Sequence, residues 1–124
     1  MLSHHPLVSI VDDDESARRA MANLARSLGW RVQVFDSAEA LLLSGAFDDV
    51  QCVISDVQMP GMTGVDMQDR LIERGVKLPI IFVSAFATDT LRQRAYANGA
   101  LCFLTKPVDG AVVARLLDSI GHAA

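Results

Sequence analysis

The 124-residue sequence predicts one α/β domain over residues 1–124: a doubly wound (βα)5 three-layer sandwich around a parallel five-stranded sheet. Three observations carry that reading. Five short apolar runs alternate strictly with five segments of helical periodicity. The runs are apolar at consecutive positions, as strands covered by helices on both faces require. The length suits one core and leaves no comfortable room for a second. Right-handed crossovers then leave few topologies, and the common strand order for such a sheet is 2-1-3-4-5, with its switch point between strands one and three.

The first strand is Leu7–Val11, which runs into Asp12, Asp13 and Asp14. Asp14 is placed to cap a helix in which Ala17, Ala20, Met21, Leu24, Ala25 and Leu28 form the apolar stripe, and Gly29 closes it. Arg31–Phe35 is the second strand. Asp36 or Ser37 caps a helix expected to reach about Phe47 and to carry Leu41, Leu42 and Leu43. The third strand, Val50–Ile54, has the β-branched content of a buried strand; Asp56 sits where it emerges, ahead of the Met59-Pro60-Gly61 breaker. Thr63 or Gly64 opens the next helix, with Val65, Leu71 and Ile72 inward and an end near Gly75. Ile80–Val83 is the fourth strand, stopping at Ser84-Ala85-Phe86. Thr88 or Asp89 caps a short helix through Ala97 that Asn98-Gly99 ends. Leu101–Leu104 is the fifth strand, broken by Thr105-Lys106-Pro107. A last helix from about Asp109 to Ile120 turns Val112, Val113, Leu116, Leu117 and Ile120 inward.

Composition narrows the function classes. A net charge of −4 disfavours a nucleic-acid surface, and Arg18-Arg19 and Arg92/Arg94 are only local pairs. Cys52 and Cys102 fall in apolar runs, as reduced core residues of a cytosolic protein would. The N-terminus has no positive region, and its apolar run is too short for a signal peptide or a membrane span. His4 and His5 read as tail residues, since adjacent side chains rarely converge on one metal ion.

All parallel strands end on the same edge, so Asp12 and Asp13, Asp56, Ser84 and Lys106 should converge from strands one, three, four and five. Each alone could be a turn residue or a helix cap. Three carboxylates brought together repel and need cations. Lys106 supplies one, and the remaining charge suits a hard divalent ion, Mg²⁺, which takes one or two carboxylates plus carbonyls and waters.

This pattern resembles the receiver domain of two-component response regulators, a flavodoxin-like fold, over nearly the whole chain. The residues that carry the resemblance are Val11-Asp12-Asp13, Asp56-x-x-Met59-Pro60-x-x-x-Gly64, Ser84-Ala85 and Lys106-Pro107. It implies that Asp56 accepts a phosphoryl group from a phosphohistidine on a sensor kinase or phosphotransfer protein, assisted by Ser84 and Lys106. It also implies Mg²⁺ bound by Asp13, Asp56 and the Gln58 carbonyl, with Asp12 acting through water. Such a domain is a phosphoacceptor that promotes only its own phosphorylation and slow dephosphorylation. The switch falls to Ser84 and to Phe103, three residues before Lys106; lacking a hydroxyl, Phe103 is expected to lie inward even without phosphate. Gln58 and Phe86, both bulky, are expected to tune the lifetime of the aspartyl phosphate. The face of helix four, strand five and helix five is expected to meet a downstream target, an output domain or a second copy. The Lys106-Pro107 bond is expected to be cis, and Val108 stands where many receivers have Phe.

Three rival readings share parts of this pattern. A flavin-binding relative would need a hydroxyl- and glycine-rich loop after strand one, where three acids would repel the cofactor phosphate. A Mg²⁺-dependent phosphatase could use Asp12 and Asp14 as a first-strand Asp-x-Asp. A pseudo-receiver acting only as a binding module would have no use for the complete set of site residues. The output is unreadable: the chain is either a stand-alone regulator or the excised receiver of a longer DNA-binding protein.

Overall fold

The computed structural model describes residues 5–123, so His4 lies outside the described residues. Its elements are β1 (Leu7–Val11), α1 (Glu15–Ser27), β2 (Arg31–Phe35), α2 (Ala38–Ser44), β3 (Val50–Asp56), α3 (Gly64–Glu73), β4 (Ile80–Ser84), α4 (Asp89–Ala97), β5 (Cys102–Thr105) and α5 (Gly110–Ala123). The strands are parallel, as the alternation of elements implies, and follow the order common to such sheets, β2-β1-β3-β4-β5.

Helix starts obey the capping chemistry. Asp14, Ser37, Thr63 and Thr88 each accept a hydrogen bond from a backbone N–H in the first turn of the helix they precede. At α3, Asp66 returns the bond to the Thr63 N–H and completes a capping box.

Two apolar layers enclose the sheet. Val8, Ile10, Trp30, Cys52, Ile54, Ile81 and Val83 pack with α1 and α5 on one face. Val11, Val53, Val57, Phe82 and Phe103 pack with α2, α3 and α4 on the other. Alternate residues of β3 thus feed opposite cores, which is why the strand reads as a continuous apolar run. The edge strands depart from that pattern: β2 exposes Arg31 and Val34, and β5 buries only Phe103.

Several inward assignments are corrected. Helix α2 stops at Ser44, three residues short of Phe47, because Gly45 adopts the left-handed conformation (φ 59°) and ends the helical ladder. Of the leucine triplet, Leu41 and Leu42 are buried, but Leu43 is 86% exposed, since three consecutive helical residues cannot share one face. Ala20 and Leu28 on α1 are exposed and Ala22 is buried instead. On α3, Ile72 is exposed, and Met67 and Gln68 face inward with Val65 and Leu71. Leu101 lies outside the fifth strand and is largely exposed. Among the described residues, no helix is long and apolar enough to cross a membrane.

Candidate functional site

The parallel sheet places the C-terminal ends of β1, β3, β4 and β5 along one edge. Register aligns them: Val11 pairs with Ser55, Asp56 with Val83, and Ser84 with Thr105. Asp12 and Asp56 are therefore side by side at the end of the paired region, and both are buried. Asp13, also at this edge, is exposed. Carboxylate oxygens of Asp12, Asp13 and Asp56 all lie within 4.8 Å of one another.

Two of these acids are held by the loops they stand in. Asp12 Oδ1 accepts from the Asp14 N–H at 2.9 Å, and Asp56 Oδ1 accepts from the Gln58 N–H at 3.3 Å. Their remaining oxygens face Lys106, whose Nζ donates to Asp12 Oδ2 at 3.3 Å and to Asp56 Oδ2 at 3.2 Å. The lysine is delivered by its own backbone, since the Lys106 N–H donates to the Ser84 carbonyl at 2.8 Å, and the Lys106-Pro107 bond is cis, as expected.

Electrostatics reflect this packing. Burial pushes the Asp56 carboxyl above its ordinary value and the charge on Asp12 adds to that rise, while Lys106 pulls it back. Burial alone would lower the Lys106 ammonium, but Asp12 and Asp56 outweigh it and raise the group, so the lysine stays charged. One ammonium against three carboxylates leaves an excess of negative charge at a clustered, oxygen-rich pocket. That donor set fits a small divalent cation such as Mg²⁺, and Asp13 is its solvent-exposed member.

The phosphoacceptor candidate is braced from below. The Ser55 hydroxyl donates to the Asp56 carbonyl at 2.8 Å, and the Gly64 N–H donates to the Val57 carbonyl at 3.0 Å. A Cβ on Gly64 would lie 2.3 Å from the Asp56 carbonyl oxygen, so the glycine is needed for space. The loop after β3 is tied to α2: Glu39 Oε2 accepts from the Met62 N–H at 3.2 Å and lies 2.6 Å from where a Cβ on Gly61 (φ 78°) would stand. Nothing in the sequence marks Glu39 for this; the contact crosses from a neighbouring helix. Arg18, read as half of a local pair, donates to the Asp12 carbonyl at 2.9 Å.

The structure brings Asp12, Asp13, Asp56 and Lys106 together. Ser84 is buried at the end of the adjacent strand, but its hydroxyl donates to the Phe86 carbonyl (2.9 Å) and accepts from the Phe86 N–H (3.2 Å), both within its own loop. Gln58 and Phe86 stand exposed at the rim, Phe86 at 74%. Phe103 is 5% exposed. Its ring packs on Phe82 at 6.0 Å between centroids and lies under the Arg92 guanidinium at 5.5 Å, and its N–H donates to the Tyr96 hydroxyl at 3.0 Å. Asp14, one half of the alternative Asp-x-Asp, is occupied capping α1 through the Ala17 N–H.

Comparison with known proteins places this geometry among relatives. The sequence profile of the response regulator receiver domain matches residues 8–118. Nodulation protein W of Bradyrhizobium diazoefficiens is 40% identical over 101 residues, which cover 82% of this chain and 44% of that protein. Response regulator protein TmoT of Ectopseudomonas mendocina is 40% identical over 107 residues, covering 86% of this chain and 49% of that protein. The crystal structure of a response regulator receiver protein from Pseudoalteromonas atlantica superposes with a TM-score of 0.89 at 26% identity, covering 95% of this chain and 98% of that one. The chain spans about half the length of the curated relatives it matches.

Proposed function

The chain belongs to the response regulator receiver domain family, and from that premise we propose that Asp56 is its phosphoacceptor, served by Lys106 and Ser84 and by Mg²⁺ held on Asp13 and Asp56. The observation that carries the proposal is the Lys106 ammonium seated between Asp12 and Asp56, at 3.3 and 3.2 Å. It fixes one oxygen of Asp56 and leaves a cation in line with the place where a transferring phosphoryl group would gather charge.

The donor is a phosphohistidine on a sensor kinase or phosphotransfer protein. The Asp56 carboxylate attacks phosphorus, an O–P bond forms as the P–N bond breaks, and the imidazole leaves with the bonding pair. Lys106 and the Ser84 hydroxyl stabilise the transferred oxygens. For that, Ser84 releases the Phe86 backbone and turns toward Asp56, so the loop after β4 moves with it. A divalent ion bound by Asp13, Asp56 and the Gln58 carbonyl, with Asp12 reached through water, would neutralise the equatorial oxygens.

The signal then passes to the α4-β5-α5 face, where Phe103, already inward, leaves less of a swing to make than an exposed aromatic would. That face is the contact surface for a target, an output segment or a second copy. Exposed Gln58 and Phe86 flank the path of the hydrolytic water and lengthen the life of the phosphoryl group. The protein works as a regulator in the cytosol, in keeping with its two unpaired cysteines. The phosphatase reading is disfavoured by Asp14, whose carboxylate is spent on its helix cap.

The test is labelling with acetyl phosphate and Mg²⁺, then intact mass. One phosphate per chain is expected on the parent and none on Asp56→Ala. Equal labelling of the two, or sustained turnover of a phosphate ester, would overturn the proposal.

A further inference from the structure

A groove of about 860 Å³ opens at the end of the sheet remote from the acids, between the C-terminal halves of α3 and α4. Its walls are apolar: Leu71 and Ile72 from α3, Val76 and Leu78 from the loop after it, and Ala100 and Leu101 ahead of β5. Ile72 and Leu101, 50% and 43% exposed, carry the apolar lining out to the surface.

Three polar side chains interrupt the apolar lining, of which Asn98 is already engaged, donating to Asp69 Oδ1 at 2.7 Å, so two remain. Gln68 on α3 borders the groove and is 2% exposed. Its Nε2 donates to the Ala95 carbonyl of α4 at 3.1 Å, and that bond fixes the amide, because the flipped orientation would set two oxygens against each other. Gln68 Oε1 is thereby an acceptor, buried, with no donor among the described residues. A buried acceptor without a donor is costly, so a ligand that supplies one gains more there than at the surface. The second polar group is Lys77, exposed, and the only charged residue among those that line the groove.

The geometry points to a small-molecule site in this groove for an aromatic acid that carries a hydroxyl at the end remote from its carboxylate. The ring lies against Ile72 and Leu78, the hydroxyl donates to Gln68 Oε1, and the carboxylate faces Lys77. Oε1 is shielded from bulk water, so the hydroxyl reaches it as α3 and α4 part slightly. α4 has one buried residue, Ala95, and is joined to α3 by Arg94 with Asp66 and Asp69 and by Asn98 with Asp69. The site shares no residue with the acidic edge, and ligand bound there would tie α3 to α4 through Gln68.

The test uses the full chain and three probes, read by amide NMR: 4-hydroxybenzoate, benzoate without the hydroxyl, and phenol without the carboxylate. Saturable shifts from 4-hydroxybenzoate are expected over residues 71–80 and 97–101, with a dissociation constant in the low-millimolar range or tighter. Benzoate should bind roughly tenfold more weakly, the worth of one hydrogen bond to a buried acceptor. Lys77→Ala, a surface change, should weaken 4-hydroxybenzoate to the level of phenol and leave phenol unchanged. Gln68→Met should make 4-hydroxybenzoate and benzoate bind alike. Absence of saturable shifts, equal affinity for benzoate and 4-hydroxybenzoate on the parent, or shifts centred on Lys106 would each overturn the site. None of these readouts requires Asp56 to be phosphorylated, so the outcome is independent of the phosphoacceptor proposal.

Discussion

Replacing Gly64 by alanine tests whether the floor beneath Asp56 is set by space alone. Gly64 opens α3 without a left-handed backbone, so its conformation admits alanine, unlike Gly61 at φ 78°. The added Cβ would meet the Asp56 carbonyl oxygen at 2.3 Å and Ser55 Oγ at 3.1 Å. A carbon–oxygen pair relaxes only beyond about 3.2 Å, so either the start of α3 or the end of β3 must move by about 1 Å. Overpacking of this kind costs about 1–3 kcal/mol, and the gain from a stiffer unfolded chain returns about 0.4–1 kcal/mol. The midpoints of these ranges leave a net loss of about 1.3 kcal/mol. With about 2.1 cal/mol/K of unfolding entropy per residue, that loss lowers Tm by about 5 °C in a chain of this length. The effect on chemistry should be larger, because a shift of about 1 Å in a reacting group can cost about 100-fold in rate. Calorimetry and the initial rate of acetyl phosphate labelling measure the two effects separately. Gly121→Ala is the control: its Cβ would meet Trp30 Cζ2 at an ordinary 3.6 Å and Pro6 Cγ at 4.0 Å, so stability should hold or rise. A Gly64→Ala protein with unchanged Tm and a labelling rate within about twofold of the parent would refute the steric reasoning, since a displacement of this size predicts far more.

The same packing sets three further outcomes. Leu41→Ala should lose about 2–5 kcal/mol in denaturant unfolding, whereas Leu43→Ser, its 86% exposed neighbour, should stay within about 0.5 kcal/mol; similar losses would mean that α2 is rotated from its described position. Native protein should lose its Cys102 thiol to a maleimide well before Cys52, which is fully buried and whose thiol burial pushes up to about 12, as peptide mass mapping would read. The linked sign is that Cys52 favours the fold fully below its ordinary value of 9.0 and loses that contribution as pH rises toward about 12; a parent whose alkaline stability matches that of Cys52→Ala would contradict it. Lys106→Met removes the cation that competes for Asp12 and Asp56, so Mg²⁺ should bind several-fold more tightly by titration calorimetry, and weaker binding would show that the lysine organises the acids more than it competes for them.

The fold and the acidic edge were legible for one physical reason. A parallel sheet must send every strand end to the same side, so locating five apolar runs also locates the polar residues at their ends. Asp12, Asp13, Asp56, Ser84 and Lys106 could be grouped on that rule without any knowledge of side-chain packing, and the order of strands left β2 as the one that adds no side chain to the cluster. The errors fall where the rule is silent. Leu41, Leu42 and Leu43 are equivalent to a composition count, and only the angle at which α2 meets the sheet decides that Leu43 is left outside. The same holds for Ile72, which yields the inward face of α3 to Met67 and Gln68.

Hydrogen bonds were the less legible half, because a donor's choice among acceptors is settled by distances that spacing does not encode. Glu39 stands in the first turn of an ordinary amphipathic stretch, yet it anchors the Met62 N–H of the loop beyond Asp56. The apolar run places Ser84 at the end of β4, but its hydroxyl is closed onto Phe86, which no periodicity reveals. This closure would give the proposed switch a physical starting point. The Ser84 hydroxyl has one proton to donate, so a bond to a phosphoryl oxygen on Asp56 and the bond to the Phe86 carbonyl are mutually exclusive. The loop of residues 85–88 leads directly into the Thr88 cap of α4, a helix with a single buried residue. Release at Ser84 would therefore be felt first by α4, the helix with the fewest buried residues among those described.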